Sequence, residues 1–236
     1  MALPMNSTPV YKINIPSTGK EITFRPFLVK EEKALLLAQQ SESTEIMVNT
    51  LKEIIKSCVK EPLDVDSLAI FDYEFLFTNI RAKSVGEIVD LIFTCAHCEQ
   101  ENNKVKMSID LTKIPLVKDP NQSNKIPLFD NVGVIMRYPG LDTLKKAEGN
   151  EENLDKIMEV VIDCIDAIYN DDEVFYAKEQ SREELNDFVM NLTKQQFDKI
   201  ESFFANVPKY KQEIEFDCPA CGQHNFSVVE GPASFF

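Results

Sequence analysis

The first third of the chain changes from a strand-like to a helix-like pattern of apolar residues. Apolar and polar residues alternate over 10–15, and apolar residues return over 22–24 after a Pro-Ser-Thr-Gly turn, which predicts a β-hairpin. Apolar residues at helical spacing then predict one helix from about Val29 and another over about 44–60. A third predicted helix, over about 67–82, is apolar nearly all round and is expected to be buried.

The rest of the chain predicts a few strands and then mostly helices. Strands are expected over 88–94, 104–111 and 132–138, with a proline-containing loop over 114–130. Apolar residues then follow the 3.6-residue period of a helix at about 152–169, namely Leu154, Ile157, Val161, Ile165 and Ile168.

Two capping boxes mark the starts of two later helices. A hydroxyl residue is followed three positions later by Glu or Gln at Ser181 and again at Thr193, and each box precedes an apolar helical repeat. Pro208 ends the last helix, and strands are expected over 211–216 and 225–229.

Four of the six cysteines form two C-x-x-C pairs, each in a turn between two predicted strands. The pairs are Cys95 with Cys98 and Cys218 with Cys221. A tight turn holds two thiolates about one tetrahedral edge apart, so two such turns complete a closed four-ligand shell for zinc. Because cysteine fills all four positions, no ligand site is left for water, and the predicted zinc ion is structural.

Other readings of these cysteines stay open at this point. The pairs are alternatively reduced and free of metal, or redox-active, although neither pair has the thioredoxin-like context of a redox motif. His97 or His224 is a possible substitute ligand because each lies in or beside a cysteine turn. Cys58 and Cys164 fall on apolar faces of predicted helices and are expected to be small buried side chains.

These patterns predict an α+β fold with an N-terminal β-hairpin, a discontinuous four-cysteine zinc ribbon and a mostly helical C-terminal half. The predicted domains are a hairpin with helices over 8–82, a ribbon formed by 84–111 and 209–230, and a helical segment over 141–207 that the ribbon brackets. The metal is expected to close the long loop between the two cysteine turns.

Length and composition are those of a globular protein with no membrane span. The chain has 236 residues, of which 44% are hydrophobic, and its apolar runs are far shorter than the roughly 20 residues that cross a bilayer. The first residues lack the basic and apolar regions of a secretory signal, so folding is expected in the reducing interior of the producing cell. Paired cysteines in such a compartment favour metal over disulfide.

The charge argues against a protein that grips nucleic acid. The formal net charge is −14, and residues 141–202 hold 17 acidic and 7 basic residues. Around the cysteines, 83–106 has three basic and four acidic residues, and 208–236 has two and four, so no basic footprint for phosphate is present. The acidic segment is interpreted as a solvated helical face or, alternatively, as a docking surface for a basic partner.

Catalytic motifs are missing from the sequence. The chain has only two histidines, and it has no nucleophile elbow, phosphate-binding glycine loop or H-E-x-x-H motif. We therefore expect no enzymatic activity. An enzyme with an unrecognised site is the least favoured of the possible functions.

Four phrases in the first part of the chain are similar, in order and spacing, to a known family. They are ITFRPFLV at 22–29, FDYEFLF at 71–77, RAKSVG at 81–86 and FTCAHC at 93–98. Together they resemble the baseplate hub family of T-even-like contractile-tailed bacteriophages, over roughly residues 10–140. The C-terminal half carries no matching phrase, so the prediction that its cysteine pair binds zinc depends on the pattern around that pair alone.

This resemblance implies a structural or assembly protein of the phage tail baseplate hub, made in the host bacterial cytoplasm and working through contacts with other tail proteins. It implies no catalytic residue. Retention in the finished virion baseplate and a transient role in assembly both stay open, as do the oligomeric state and the hub partners. The alternative function is a zinc-ribbon adaptor that acts on nucleic acid or the transcription machinery. The acidic segment and the terminal Ser234-Phe235-Phe236 are candidate partner surfaces.

Overall fold

The structure is a computed structural model of the chain. It describes residues 7–41, 43–99, 102–147 and 154–231. The chain divides into two compact units. One unit is formed by the described residues of Met1–Val65, Phe71–Val117 and Lys209–Phe236, and the other by those of Asp66–Ile70 and Lys118–Pro208. The three-part domain division expected from the sequence stays a prediction.

The described residues form seven α-helices and eleven strands. The helices are α1 (Val29–Gln40), α2 (Thr44–Cys58), α3 (Ile70–Val85), α4 (Leu141–Ala147), α5 (Leu154–Asp163), α6 (Arg182–Met190) and α7 (Lys194–Ala205). The strands are β1 (Tyr11–Asn14), β2 (Glu21–Phe24), β3 (Ile88–Thr94), β4 (Lys104–Asp110), β5 (Leu116–Val117), β6 (Lys125–Phe129), β7 (Val132–Met136), β8 (Ile165–Tyr169), β9 (Val174–Tyr176), β10 (Lys209–Asp217) and β11 (His224–Glu230). Three short 3-10 segments also occur, at Val65–Ser67, Leu111–Lys113 and Ala177–Glu179.

The first unit begins with the hairpin expected from the sequence. β1 and β2 pair antiparallel, and the turn between them is fixed to α3 because Ser17 donates its backbone N–H and its hydroxyl to the carboxylate of Asp72, at 3.0 and 2.5 Å. Asp72 is fully buried, so these hydrogen bonds replace the water that its carboxylate has lost. The helix α3 begins at Ile70, later than expected, since Val65–Ser67 before it is a 3-10 segment.

Arg25 and Glu31 form a buried ion pair at the start of α1. The guanidinium of Arg25 lies 2.8 Å from the Glu31 carboxylate, and the two side chains are only 15% and 6% exposed. Glu31 also accepts hydrogen bonds from the Leu28 N–H at 2.8 Å and the Ser57 hydroxyl at 3.1 Å. Arg25 donates to the Pro26 carbonyl at 2.9 Å. One carboxylate therefore joins the end of the hairpin to the first turn of α1 and the last turn of α2.

The second unit contains a sheet with strand order β6-β7-β8-β9, in which all neighbours pair antiparallel. Its core combines residues of the sheet with residues of α5, α6 and α7, including Val134, Met136, Ile165, Ile200 and Phe203. The strands supply β-branched residues to one side of the sheet, and the amphipathic helices cover that side.

Both capping boxes are confirmed. Ser181 and Glu184 exchange hydrogen bonds at the start of α6, with the Ser181 N–H to Glu184 carboxylate distance at 2.8 Å. Thr193 and Gln196 do the same at the start of α7. Each box provides hydrogen-bond acceptors for two backbone N–H groups that have no partner within the helix.

The prediction of a mostly helical C-terminal half is wrong. Among the described residues, this half contains the strands β6 to β11 beside α4 to α7, and it ends in β10 and β11. The predicted helix over 152–169 stops at Asp163, and Ile165 and Ile168 belong to β8. A run of Ile and Val at mixed spacing satisfies both a helical and a strand pattern, so periodicity could not separate the two elements. The proline-containing loop predicted over 114–130 likewise contains β5 and β6.

Two further expectations concern membrane-spanning helices and the C-terminal residues. No helix in the described residues is long and apolar enough to cross a bilayer. The terminal Ser234-Phe235-Phe236 segment lies outside the described residues.

Replacing Glu31 by Gln is expected to destabilise the protein at neutral pH. Burial opposes the charged form of Glu31, but the hydrogen bonds from Arg25 and from the Leu28 N–H outweigh it and lower its pKa to about 2. The charged form therefore contributes stability above the ordinary carboxyl pKa, and this contribution disappears as the pH falls from about 4.5 towards 2. Allowing for screening near the surface, we expect a loss of about 1–3 kcal/mol at pH 7.

Urea unfolding of the wild type and Glu31→Gln at pH 7, 4 and 3 measures this effect. Glu32→Gln is the matched control, because Glu32 is exposed in the same helical turn. An equal stability loss for both variants, or a difference that does not shrink with acid, would contradict the assignment.

Candidate metal centre

The first cysteine turn continues the β3–β4 hairpin. β3 and β4 pair along their whole length, with Thr94 opposite Lys104 as the last pair. The hairpin then extends by one hydrogen bond, in which the Cys95 N–H donates to the Asn103 carbonyl at 2.9 Å. Cys95 is thus held as a continuation of β3, and Cys98 follows in the turn.

The second cysteine turn repeats this arrangement at the end of β10–β11. Asp217 lies opposite His224 as the last pair, and the Cys218 N–H donates to the Gln223 carbonyl at 2.9 Å. The turn closes when the Gly222 N–H donates to the Cys218 carbonyl at 2.9 Å. Gly222 has φ of +71°, a conformation that glycine adopts without the strain a Cβ would cause.

The structure brings all four predicted cysteines together. The sulfurs of Cys95, Cys98, Cys218 and Cys221 lie within 4.8 Å of one another. Across the two turns, the Cys95 and Cys221 sulfurs are 3.8 Å apart, and so are those of Cys98 and Cys218. Two turns separated by more than 100 residues of chain therefore form one cluster.

The two cross-turn distances of 3.8 Å fit a tetrahedral zinc site and do not fit disulfides. With zinc–sulfur bonds of about 2.3 Å, the edge of a tetrahedron of four sulfurs is about 3.8 Å. A disulfide requires a sulfur–sulfur distance near 2.0 Å, and all six cysteines are free thiols. Four thiolates are also the soft donor set that zinc favours.

Two buried asparagines support the turns behind the sulfurs. Asn225, only 5% exposed, accepts the Ala96 N–H at 3.0 Å and donates to the Gln223 carbonyl at 2.9 Å. Its side chain therefore joins the backbone of the first turn to that of the second. Asn103, 8% exposed, donates to the Cys98 carbonyl at 2.8 Å within the first turn. Neither asparagine was predicted from the spacing of the cysteines, although an Asn follows each C-x-x-C by a few positions.

The electrostatics of the cluster favour a bound cation. Burial raises the pKa of Cys95, but hydrogen bonds from the His97 N–H and the Asn225 side chain outweigh it and bring the pKa to about 6. The Gln223 N–H lowers the pKa of Cys221, but burial and the three neighbouring sulfurs outweigh it and raise the pKa to about 12. Adjacent thiolates repel one another, and a divalent cation at their centre removes this cost.

The other residues considered as ligands add no ligand atom to the sulfur cluster. His97 is exposed, and the Nδ1 of His224 lies 2.9 Å from a carboxylate oxygen of Asp217. Neither histidine belongs to the group of potential ligands in the described residues. Cys58 and Cys164 are buried, as expected, and burial raises the pKa of both thiols.

The hairpins beneath the cysteine turns share a hydrophobic core. Residues from all four strands contribute, among them Val105, Ile109, Ile214, Phe216 and Val229. The rings of Phe93 and Phe216 meet with their centroids 5.9 Å apart. This core and the four sulfurs close off the ribbon, so a metal held there has no open coordination position and is suited to a structural role.

The chain matches one protein family over almost its full length. The model of that family, described as T4 bacteriophage base plate protein, covers residues 8–236. The chain belongs to this family. The resemblance predicted from the phrases within residues 10–140 is confirmed, and the match extends through both cysteine turns. No curated protein and no solved structure gives a significant match to this baseplate protein.

Replacing Asn225 by Ala is expected to weaken metal binding by the baseplate protein about 10- to 100-fold, the usual cost of losing a group that orients metal ligands. Without the Asn225 side chain, the first cysteine turn loses its hydrogen-bonded link to the second cysteine turn. Competition with a chromogenic zinc chelator measures the affinity. Asn206→Ala is the control, since Asn206 is exposed at the end of α7; equal affinities for the two variants would show that the link has no role.

Removing one ligand is expected to abolish metal binding and to destabilise the ribbon. Wild-type protein should contain one zinc per chain and Cys218→Ser almost none. If the metal closes the loop as a disulfide would, the loss in stability is roughly 4–5 kcal/mol. Elemental analysis and thermal melting with and without chelator test this.

Cys58→Ala is the matched control, because Cys58 is buried outside the cluster. It should keep its zinc even if it melts earlier. A wild-type melting curve that is unchanged by complete chelation would disprove the structural role of the metal.

Proposed function

We propose that this protein is a non-enzymatic structural or assembly protein of the phage tail baseplate hub. The family match over residues 8–236 carries this proposal. Membership implies a place in the tail baseplate, and the hub is the finer assignment that the sequence resemblance adds. The protein would act through contacts with other baseplate proteins, after synthesis in the host bacterial cytoplasm.

One structural zinc ion, bound by Cys95, Cys98, Cys218 and Cys221, is the proposed cofactor. The tetrahedral spacing of the sulfurs and the hydrogen bonds behind them support it. A ribbon closed by four cysteines has no site for an activated water, which supports a role without catalysis. In this role the metal fixes the relative position of two hairpins and so presents their surfaces in a constant geometry.

The acidic segment 141–202 is a second candidate contact region within this function. Several of its carboxylates already pair with cations of the same segment: Asp163 lies 2.7 Å from Arg182, and Lys194 lies 2.7 Å from Asp198 and 2.9 Å from Glu201. Such exposed pairs are typical of a solvated face. The segment therefore supports the hub proposal less directly than the ribbon does.

Phage that lack this protein are expected to form no complete baseplates. Complementation from a plasmid with the wild-type chain should restore them, as judged by electron microscopy of tails, while Cys218→Ser should restore few. Cys58→Ala serves as the control that changes a cysteine without changing the proposed zinc site. Normal baseplates in the absence of the protein would refute the proposed function.

Quantitative mass spectrometry of purified tails and of assembly intermediates then separates the two roles. A constant number of copies per virion indicates a retained component. Presence in hub intermediates and absence from virions indicates an assembly factor. Presence only in a tail structure other than the hub would exclude the hub assignment while leaving the family intact.

A further inference from the structure

The ribbon has two outer faces that the zinc site and the core leave exposed. Along each strand, alternate residues point inward to the shared core or outward to solvent. The outward residues of β10–β11 include Glu213, Glu215, Asp217, Phe226 and Val228, here called the acidic face. Those of β3–β4 include Ile88, Asp90, Ile92, Lys104, Lys106 and Asp110; this surface is here called the basic face after the two lysines next to the cysteine turn.

The acidic face combines unneutralised carboxylates with exposed apolar side chains. Glu215 lies directly opposite Phe226, which is 58% exposed, and Glu213 lies opposite Val228, which is 43% exposed. Among the described residues, no lysine or arginine pairs with the three carboxylates of this face; the imidazole of His224 lies 2.9 Å from Asp217 and 3.9 Å from Glu215. Apolar groups flanked by carboxylates fit a partner surface that carries cations beside aliphatic groups.

Next to the cysteine turn, the basic face of the same ribbon has this composition. Ile92 is 67% exposed and lies opposite Lys106, and Thr94 lies opposite Lys104 at the turn end of the hairpin. Lys106 is 2.7 Å from Asp90 but its side chain remains 66% exposed. Its ammonium group is therefore available to a second carboxylate.

The two faces also match in their arrangement. In both hairpins, the cross-strand pairs that exchange backbone hydrogen bonds are the pairs whose side chains face the core. This follows from the hydrogen bonds that Cys95 N–H donates to Asn103 and Cys218 N–H donates to Gln223. When each hairpin is viewed from its solvent-facing side with the cysteine turn at the top, β4 therefore lies on the same side of β3 as β11 lies of β10. When a basic face is laid on an acidic face with the cysteine turns at the same end, β4 lies over β10 and β3 over β11.

We propose that the basic face of one copy docks on the acidic face of a second copy of this chain. In this stacking Lys106 meets Glu215, Lys104 meets Asp217 and Ile92 meets Phe226. Because the two faces are different surfaces of one chain, the contact is heterologous and can repeat from copy to copy.

The size of the contact indicates a weak association. Each face is about seven residues long and two strands wide, or roughly 23 by 10 Å, a footprint of about 230 Å² per copy that is smaller than a standard specific interface. The net charge of −14 opposes association, but 17 acidic residues against 7 basic ones lie in 141–202, outside both hairpins. Moderate salt screens that long-range repulsion more than it screens ion pairs in contact.

Sedimentation of the zinc-loaded protein over a range of concentrations tests the proposal. The wild type should self-associate reversibly in about 0.1 M salt, where the screening length is about 10 Å. Glu215→Lys alone and Lys106→Glu alone should each weaken association at least about tenfold, because an attractive pair becomes repulsive. An equimolar mixture of these two variants should associate again, since each restores an opposite-charge pair with the other.

Glu183→Lys is the matched control, since it changes the net charge as Glu215→Lys does but lies on the exposed surface of α6. It should leave association within about twofold of the wild type or strengthen it slightly. Phe226→Ser tests the apolar part of the contact and should weaken association without changing charge. Zinc content is measured for every variant, so loss of the ribbon is distinguished from loss of the contact.

A wild-type protein that carries its zinc and stays monomeric at every concentration would overturn the proposal. So would association that neither charge reversal affects, or a mixture of the two variants that remains monomeric. Each of these outcomes leaves the zinc site and the baseplate role untouched.

Discussion

The ribbon depends on two short hairpins meeting at four sulfur atoms. A single two-stranded hairpin is marginally stable in water, and β3–β4 and β10–β11 are separated by 120 residues between Cys98 and Cys218. Their shared core is small, since it is built from one face of each hairpin together with Ala82, Leu111 and Ile114. The sulfur cluster and the Asn225 link act at the end of the hairpins where that core stops. The sulfur cluster and the Asn225 link therefore determine how the outer faces of the two hairpins are positioned, and so any contact that these faces make.

The parts of the fold that the sequence predicted are those set by local interactions. The hairpin turn, the capping boxes at Ser181 and Thr193 and the strands around the cysteines each depend on residues a few positions apart. The spacing of C-x-x-C fixes two ligands within one turn, so the cysteine cluster was predictable once both turns were found.

The parts that sequence reasoning missed are set by contacts between distant residues. Ile165 and Ile168 continue the helical period of α5, but they pair with β7 and belong to β8. Only the presence of β7 beside them makes a strand the better choice. Asn225 is visible a few positions after the second C-x-x-C, but its role was not predictable because its partner, the Ala96 N–H, lies 129 residues away. Buried polar residues that hold two segments together look like ordinary loop residues until both segments are placed.

The position of the two cysteine turns has a consequence for synthesis on the ribosome. The β3–β4 hairpin leaves the ribosome with its apolar face uncovered, and the second cysteine turn follows only 120 residues after the first. At bacterial translation rates of about 5–20 residues per second, this delay is roughly 6–24 s. Most of the second unit is synthesised in that interval and can fold first. The β3–β4 hairpin therefore exposes its apolar face until the last strands are made. Premature termination leaves this half of the ribbon permanently without its partner.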